Sequence, residues 1–217
     1  ESGSTDLFTV VLNAQPTTDV VLSISSSDTG EATATSSLTF TTANWNSPKT
    51  VTITGVDDDI IDGTQNSTIT VSIIDGISDD AFDSVADQTV SVTTADDDVA
   101  GFTVTETEGS TGVSESGSTD LFAIVLNTQP SSDVVLSITS SDTGEATVDS
   151  LIQFTTANWD TPQNVTVTGV DDGIIDGTQT STITITVVDA ITDDDFDGVA
   201  DQTVSVTTTD DDVAGFT

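Results

Sequence analysis

Asp96-Asp97-Asp98-Val99-Ala100-Gly101-Phe102-Thr103 recurs letter for letter as Asp210 to Thr217. Each copy opens with three adjacent carboxylates, which repel one another and resist burial, and a short apolar tail follows. Such a run persists in a folded chain when something cationic sits on it. The chain holds one basic side chain, Lys49, against 38 acidic ones, for a formal net charge of −37. The missing positive charge must therefore come from solution. A hard divalent cation is the natural supplier, and an all-oxygen ligand set points to calcium before zinc or copper.

Working outward, Glu1-Ser2-Gly3-Ser4-Thr5-Asp6-Leu7-Phe8 returns as Glu115 to Phe122, 114 residues on, and the match continues to the last residue. Most of the changes are of the Val/Ile or Ser/Thr kind. That period is too long for a helical or leucine-rich solenoid and suits independent beads. The expected domains are 1–98, lacking its first strand, and 99–212, with 213–217 the start of a further repeat. Residues 101–113 precede the second unit without a counterpart before the first. The frame predicts an array that continues in both directions.

In the second unit, alternating or β-branched runs occur at 102–107, 119–127, 133–139, 151–155, 163–170, 181–188 and 202–208. Gln-Pro, Asp-Thr-Gly, Asn-Trp-Asp-Thr-Pro and Asp-Gly breaks separate them. The expected fold is all-β: two tandem immunoglobulin-like antiparallel β-sandwich domains. Phe122, Leu136, Phe154, Val165, Ile183 and Val204 are expected in the core, with Trp159 covering one end. Since neighbouring strands run up and down, four acidic stations fall at one end of the sandwich. They are Glu115; Asp142 with Glu145; Asp171, Asp172 and Asp176; and Asp210, Asp211 and Asp212. The first-unit equivalents are Glu1; Asp28 with Glu31; Asp57, Asp58 and Asp62; and Asp96, Asp97 and Asp98. Their oxygens suffice for two or more calcium ions per domain. The acidic stretches 75–87 and 189–201 are expected to be solvated loops at the opposite end, the alternative being that the second-unit loop approaches, or adds a ligand to, the cluster anchored by Asp96 to Asp98.

The motifs DDDIID (57–62) and DDDVAGFT (96–103), followed by VSESG (113–117), resemble Calx-beta domains. These are calcium-binding sandwiches found in tandem in the cytosolic loop of sodium-calcium exchangers and as arrays in bacterial surface proteins. The resemblance covers essentially the whole chain. It implies calcium ligands at Glu1, Asp57, Asp58, Asp62, Asp96, Asp97 and Asp98, and at Glu115, Asp171, Asp172, Asp176, Asp210, Asp211 and Asp212. Two departures stand out: Asp62 and Asp176 replace a longer Glu, and Gly173 stands where the first unit has Asp59. The ligand in the loop after the third strand (133–139) aligns poorly, so Asp28 and Asp142 are taken while Glu31 and Glu145 stay open.

Composition excludes several function classes. Nucleic acid needs Lys and Arg for phosphate contacts, and anionic membranes are disfavoured likewise. No apolar run is long enough to span a bilayer. With no His or Cys, and Ser or Thr without an adjacent base, enzymatic chemistry is not expected. The near-identical repeats suggest a calcium-rigidified stalk of a large secreted or cell-surface bacterial adhesin. The alternatives are a calcium-sensing module or a ligand- or glycan-binding adhesin domain. Expected partners are neighbouring repeats, with end-to-end self-association through the tail 213–217.

Overall fold

A computed structural model describes residues 1–216. Thr217, the last residue of the expected tail strand, lies outside the described residues. The chain forms two compact units: one of Glu1–Asp58 with Asp62–Asp97, the other of Asp59–Ile61 with the residues from Asp98 onward.

The first unit contains β1 (Thr5–Val10), β2 (Val20–Ser26), β3 (Ala32–Ala34), β4 (Ser37–Phe40), β5 (Lys49–Gly55), β6 (Gln65–Ile73) and β7 (Gln88–Thr94). They form two sheets, β1-β5-β3 and β4-β2-β6-β7. The second unit contains β8 (Phe102–Glu106), β9 (Thr111–Ser114), β10 (Thr119–Leu126), β11 (Val134–Ser140), β12 (Ala146–Val148), β13 (Leu151–Phe154), β14 (Gln163–Gly169), β15 (Gln179–Val187) and β16 (Gln202–Thr209). Its sheets are β12-β14-β10-β8 and β13-β11-β15-β16-β9. Both units are immunoglobulin-like β-sandwiches.

The two-residue period puts alternate side chains inward. In β15, Ser181, Ile183, Ile185 and Val187 are buried while Thr180 and Thr182 face water. Phe122, Leu136, Phe154, Val165, Ile183 and Val204 are all buried in one cluster, with Trp159 packed against it. Each buried Phe contributes roughly 2–3 kcal/mol by area removed from water. The smaller first unit centres on Val20, Phe40, Val51 and Ile69.

Two strands of the second unit depart from the expected seven. The three-residue β12 pairs with β14. The segment that opens the unit is also divided: β8 pairs antiparallel with β10, and the chain then crosses to the other sheet, where β9 runs parallel to β16. Glu108 (φ 56°) and Gly109 (φ 81°) make the crossing in the left-handed region. The Asp120 carboxylate secures it, accepting from the Gly112 N–H at 2.8 Å, the Leu121 N–H at 2.7 Å and the Thr107 hydroxyl at 3.3 Å. Those donors, led by Gly112, hold its pKa below the usual carboxylate value. Among the described residues the first unit has no counterpart of β8 or β9.

The acidic stretches 75–87 and 189–201 are not simply solvated, which corrects the reading from composition. Each folds into two short 3-10 turns, Asp75–Ile77 with Asp80–Phe82 and Asp189–Ile191 with Asp194–Phe196. Each also buries one carboxylate. Asp79 accepts from the Thr17 N–H at 2.5 Å, the Thr17 hydroxyl at 2.8 Å, the Thr18 N–H at 3.0 Å and the Ala81 N–H at 3.0 Å. These bonds, the Ala81 one foremost, pull its pKa down to about 2. Asp193 is held likewise by Ser131, Ser132 and the Asp195 N–H. Burial opposes its ionisation, but the donors prevail and its pKa lies below the ordinary value.

Candidate metal centre

In the second unit, four backbone segments meet at one rim. Glu115 follows β9, and its N–H donates to the Thr209 carbonyl at the end of β16 at 3.1 Å. Gly169, the last residue of β14, faces this segment so closely that a Cβ would collide with the Ser114 backbone. Glu145 precedes β12. Its carbonyl accepts from the Val170 N–H at 2.9 Å and the Thr208 hydroxyl at 3.4 Å, which fixes the main chain while the carboxylate points into the rim. The loop after β14 turns at Gly177 (φ 75°), whose N–H donates to Asp210 at 2.8 Å. Asp210 also accepts from the Asp212 N–H at 2.7 Å. These donors, Gly177 first, lower the pKa of Asp210.

The result is two sets of carboxylates sharing one residue. One oxygen each from Glu115, Asp210 and Asp212 lie within 4.8 Å of one another, and so do oxygens from Glu115, Glu145 and Asp176. Oxygens about 2.3–2.6 Å from a common calcium ion are at most about 5 Å apart, so each set fits one ion. In the first unit Glu1, Glu31 and Asp62 repeat one of these sets, while a further set of Glu1, Asp57 and Asp97 uses positions that correspond to Asp171 and Asp211 instead of Asp210 and Asp212. There the amino terminus of Glu1 donates to the Ala95 carbonyl at 2.5 Å, as the Glu115 N–H does to Thr209.

The donor supply decides what these groups can hold. Glu115 is 1% exposed and Glu1 5%, yet neither carboxylate has a hydrogen-bond donor on either oxygen. Glu31 Oε2, Glu145 Oε2 and Asp212 Oδ2 are buried without a donor as well. A buried, donor-less carboxylate costs the full desolvation of its charge unless a cation or a proton joins it. Burial, then the charge of Asp58, push Glu1 up to about 7. Burial foremost, then Asp210, Asp172 and Asp176, raise Glu115; the Asp211 N–H counteracts only in part and makes no hydrogen bond of ordinary geometry. Glu145 is raised by burial and by Asp176, Glu31 by burial and by Asp62, and Asp212 by burial and by Asp210. The ligand atoms are all carboxylate oxygens, which fit a hard divalent cation.

Several residues named from the sequence make contacts besides, or instead of, a place in an oxygen set. Asp28 and Asp142 belong to none of these sets: each accepts from a glycine N–H two residues on, Gly30 at 3.0 Å and Gly144 at 2.9 Å. Glu31 and Glu145 reach the rim instead. Asp96 accepts from the Asp62 and Gly63 N–H groups at 3.1 and 2.7 Å, and Asp57 from the Ser2 N–H at 2.9 Å. Asp172 accepts from the Ile174 N–H at 2.6 Å. Asp171, Asp172 and Asp211 stand outside the oxygen sets, but Asp171, Asp172 and Asp211 add negative charge around Asp212. Asp58 does the same for Glu1, and Asp98 falls with the second unit.

No protein-family model and no curated protein matches the sequence. Among solved structures, the chain is similar to the apo form of the Calx CBD1 domain, with 14% identity and a TM-score of 0.38 over 51% of this chain and 98% of that one. It is similar also to the calcium binding domain CBD12 of CALX1.1, with 14% identity and a TM-score of 0.37 over 85% of this chain and 74% of that one. The S-layer protein rSbsC(31-844) gives 17% identity and a TM-score of 0.39 over 87% of this chain and 20% of that one. At these values the likenesses assign no ligand or role. Among the described residues no helix is long and apolar enough to cross a membrane.

Proposed function

We propose that the chain is a calcium-binding structural repeat, a non-enzymatic extender of a large cell-surface or secreted adhesin. The observation that supports this reading is the set of buried, donor-less carboxylates on Glu1, Glu31, Glu115, Glu145 and Asp212. When bound, calcium supplies the positive charge that these oxygens lack. Glu115 bridges the two oxygen sets of its unit, while Asp210 clamps the rim through Gly177 and Asp212. Asp96, Asp97 and Asp98 lie where the chain leaves the first unit, so loading them restrains the backbone that follows. A surface or secreted setting suits carboxylate-only sites on a chain of charge −37, because they fill at the high calcium levels of extracellular space.

Calorimetric titration with calcium, paired with solution scattering, tests the reading. Two or more ions per unit should bind, with a narrower distribution of particle dimensions in calcium than in chelator. Absence of binding at millimolar calcium would overturn it. Micromolar affinity with a defined calcium-driven change of shape would favour a sensor over an extender.

A further inference from the structure

Five Asp-Gly pairs occur in the chain, at 62–63, 75–76, 172–173, 176–177 and 197–198, and no Asn-Gly. Asp-Gly is the aspartyl sequence most open to attack on itself, because glycine has no side chain to shield the nitrogen that reaches back to the aspartate Cγ. Which pairs react then depends on the freedom and direction of that nitrogen.

The fold restrains four of the five. The Gly63 N–H donates to Asp96 at 2.7 Å and the Gly177 N–H to Asp210 at 2.8 Å, so neither nitrogen turns toward the carboxyl of the residue before it. Asp75 opens the 3-10 turn Asp75–Ile77, and Asp197 follows the turn Asp194–Phe196 with φ −56° and ψ −31°. In such helical backbone the Cβ tilts toward the preceding residues, away from the next nitrogen. Asp172-Gly173 escapes these restraints. Both residues are exposed, Gly173 has φ 115°, and its N–H has no acceptor among the described residues. The Asp172 carboxylate is folded forward along the chain, its Oδ1 accepting from the Ile174 N–H at 2.6 Å. That N–H is placed to stabilise the oxyanion that forms when Cγ is attacked. The matching pair of the first unit is Asp58-Asp59, which lacks the glycine.

We propose that Asp172-Gly173 is a site of spontaneous backbone modification, the conversion of aspartate to isoaspartate with water as its co-reactant. The Gly173 nitrogen bonds to Asp172 Cγ, and one carboxyl oxygen leaves as water, carrying the amide proton and a proton from solvent. The resulting succinimide takes up one water. Addition at Cγ restores aspartate; addition at the main-chain carbonyl breaks the original peptide bond and leaves the chain running through Cβ and Cγ, one methylene longer. The carboxylate then sits on Cα, in the loop that also supplies Asp176 to an oxygen set. The loop after β14 is thus the point at which the second unit ages.

Prolonged warm incubation of the full chain in heavy-oxygen water with chelator, followed by digestion in ordinary water and peptide mapping by mass spectrometry, tests this. Each succinimide that reopens leaves one heavy oxygen behind, so turnover is read at every aspartate. Uptake at Asp172 should exceed that at each of the other four pairs by roughly tenfold or more. Fragment masses should place isoaspartate at the same position. In denaturant, which removes the restraints, the five pairs should react at similar rates. Gly173→Asp, which gives the second unit the Asp-Asp of the first, should suppress uptake at Asp172. Uptake spread evenly over the five pairs in the folded chain, an order unchanged by denaturant, or a Gly173→Asp chain with undiminished uptake at Asp172 would each overturn the proposal. Because chelator is present throughout, failure here is separable from failure of the calcium reading.

Discussion

Replacing Glu115 by Gln should change stability in opposite directions with and without calcium. Glu115 belongs to both oxygen sets of the second unit, so one substitution removes a ligand from each. Its carboxylate is buried with no donor on either oxygen, and its pKa is raised by burial and by Asp210. In chelator the neutral amide relieves that repulsion, and the second unit should melt higher than in the unsubstituted chain. In calcium the order should reverse. An ion present at about 100 times its Kd stabilises the unit by about 2.7 kcal/mol. For a domain of about 110 residues that is a rise of about 10 °C in Tm, at roughly 4 °C per kcal/mol. With two ions the unsubstituted second unit should gain about 20 °C, and the Gln variant less than half of that. Differential scanning calorimetry in chelator and in calcium measures both effects. The first unit, whose sets are built on Glu1, serves as the internal control. A Gln variant that keeps the full calcium gain, or that melts lower than the parent in chelator, would falsify the assignment of Glu115 as a shared ligand.

Two further outcomes follow from the same charges. Glu1, with a pKa pushed up to about 7, and Glu115, Glu145 and Glu31, all raised, contribute stability to the metal-free protein that is fully present below their unfolded pKa near 4.5 and is lost as pH rises through the folded values. The metal-free protein should therefore become more stable on acidification from pH 7 to 5, whereas the calcium-loaded protein should lose stability as protons compete for the ligands; thermal melts across that window that fall together in both conditions would contradict this. Asp193→Ala should leave the Ser132 N–H without its acceptor and lower stability by about 2 kcal/mol equally in calcium and in chelator, which a calcium-dependent loss would refute.

Much of this arrangement is legible in the sequence because its signals are local. The two-residue alternation marks the long strands and the core from Phe122 to Val204, and up-and-down topology brings Glu115, Asp176, Asp210 and Asp212 to one rim. β12 escapes notice because three residues, Ala146–Val148, carry no period; its pairing is set by β14. The crossing from β8 to β9 depends on Glu108 taking a left-handed backbone, for which sequence offers only the adjacent Gly109. The choice between Asp142 and Glu145 rests on which side chain is already engaged. Asp142 is short enough to cap the Gly144 N–H of its own turn, and the longer Glu145 is left to reach inward. Asp79 and Asp193 read as two more surface acids because their donors, Thr17 and Ser132 among them, lie about sixty residues away.

The division of residues 102–114 between two sheets has a mechanical side. β9, reached after β8, lies alongside β16, the last strand of the unit, and the two point the same way over Thr111–Ser114 and Val206–Thr209. Once β8 has parted from β10, a pull along the chain slides β9 and β16 along one another, so their hydrogen bonds must yield together instead of opening one at a time as a hairpin does. β9 and β16 thus form a latch loaded in shear behind β8.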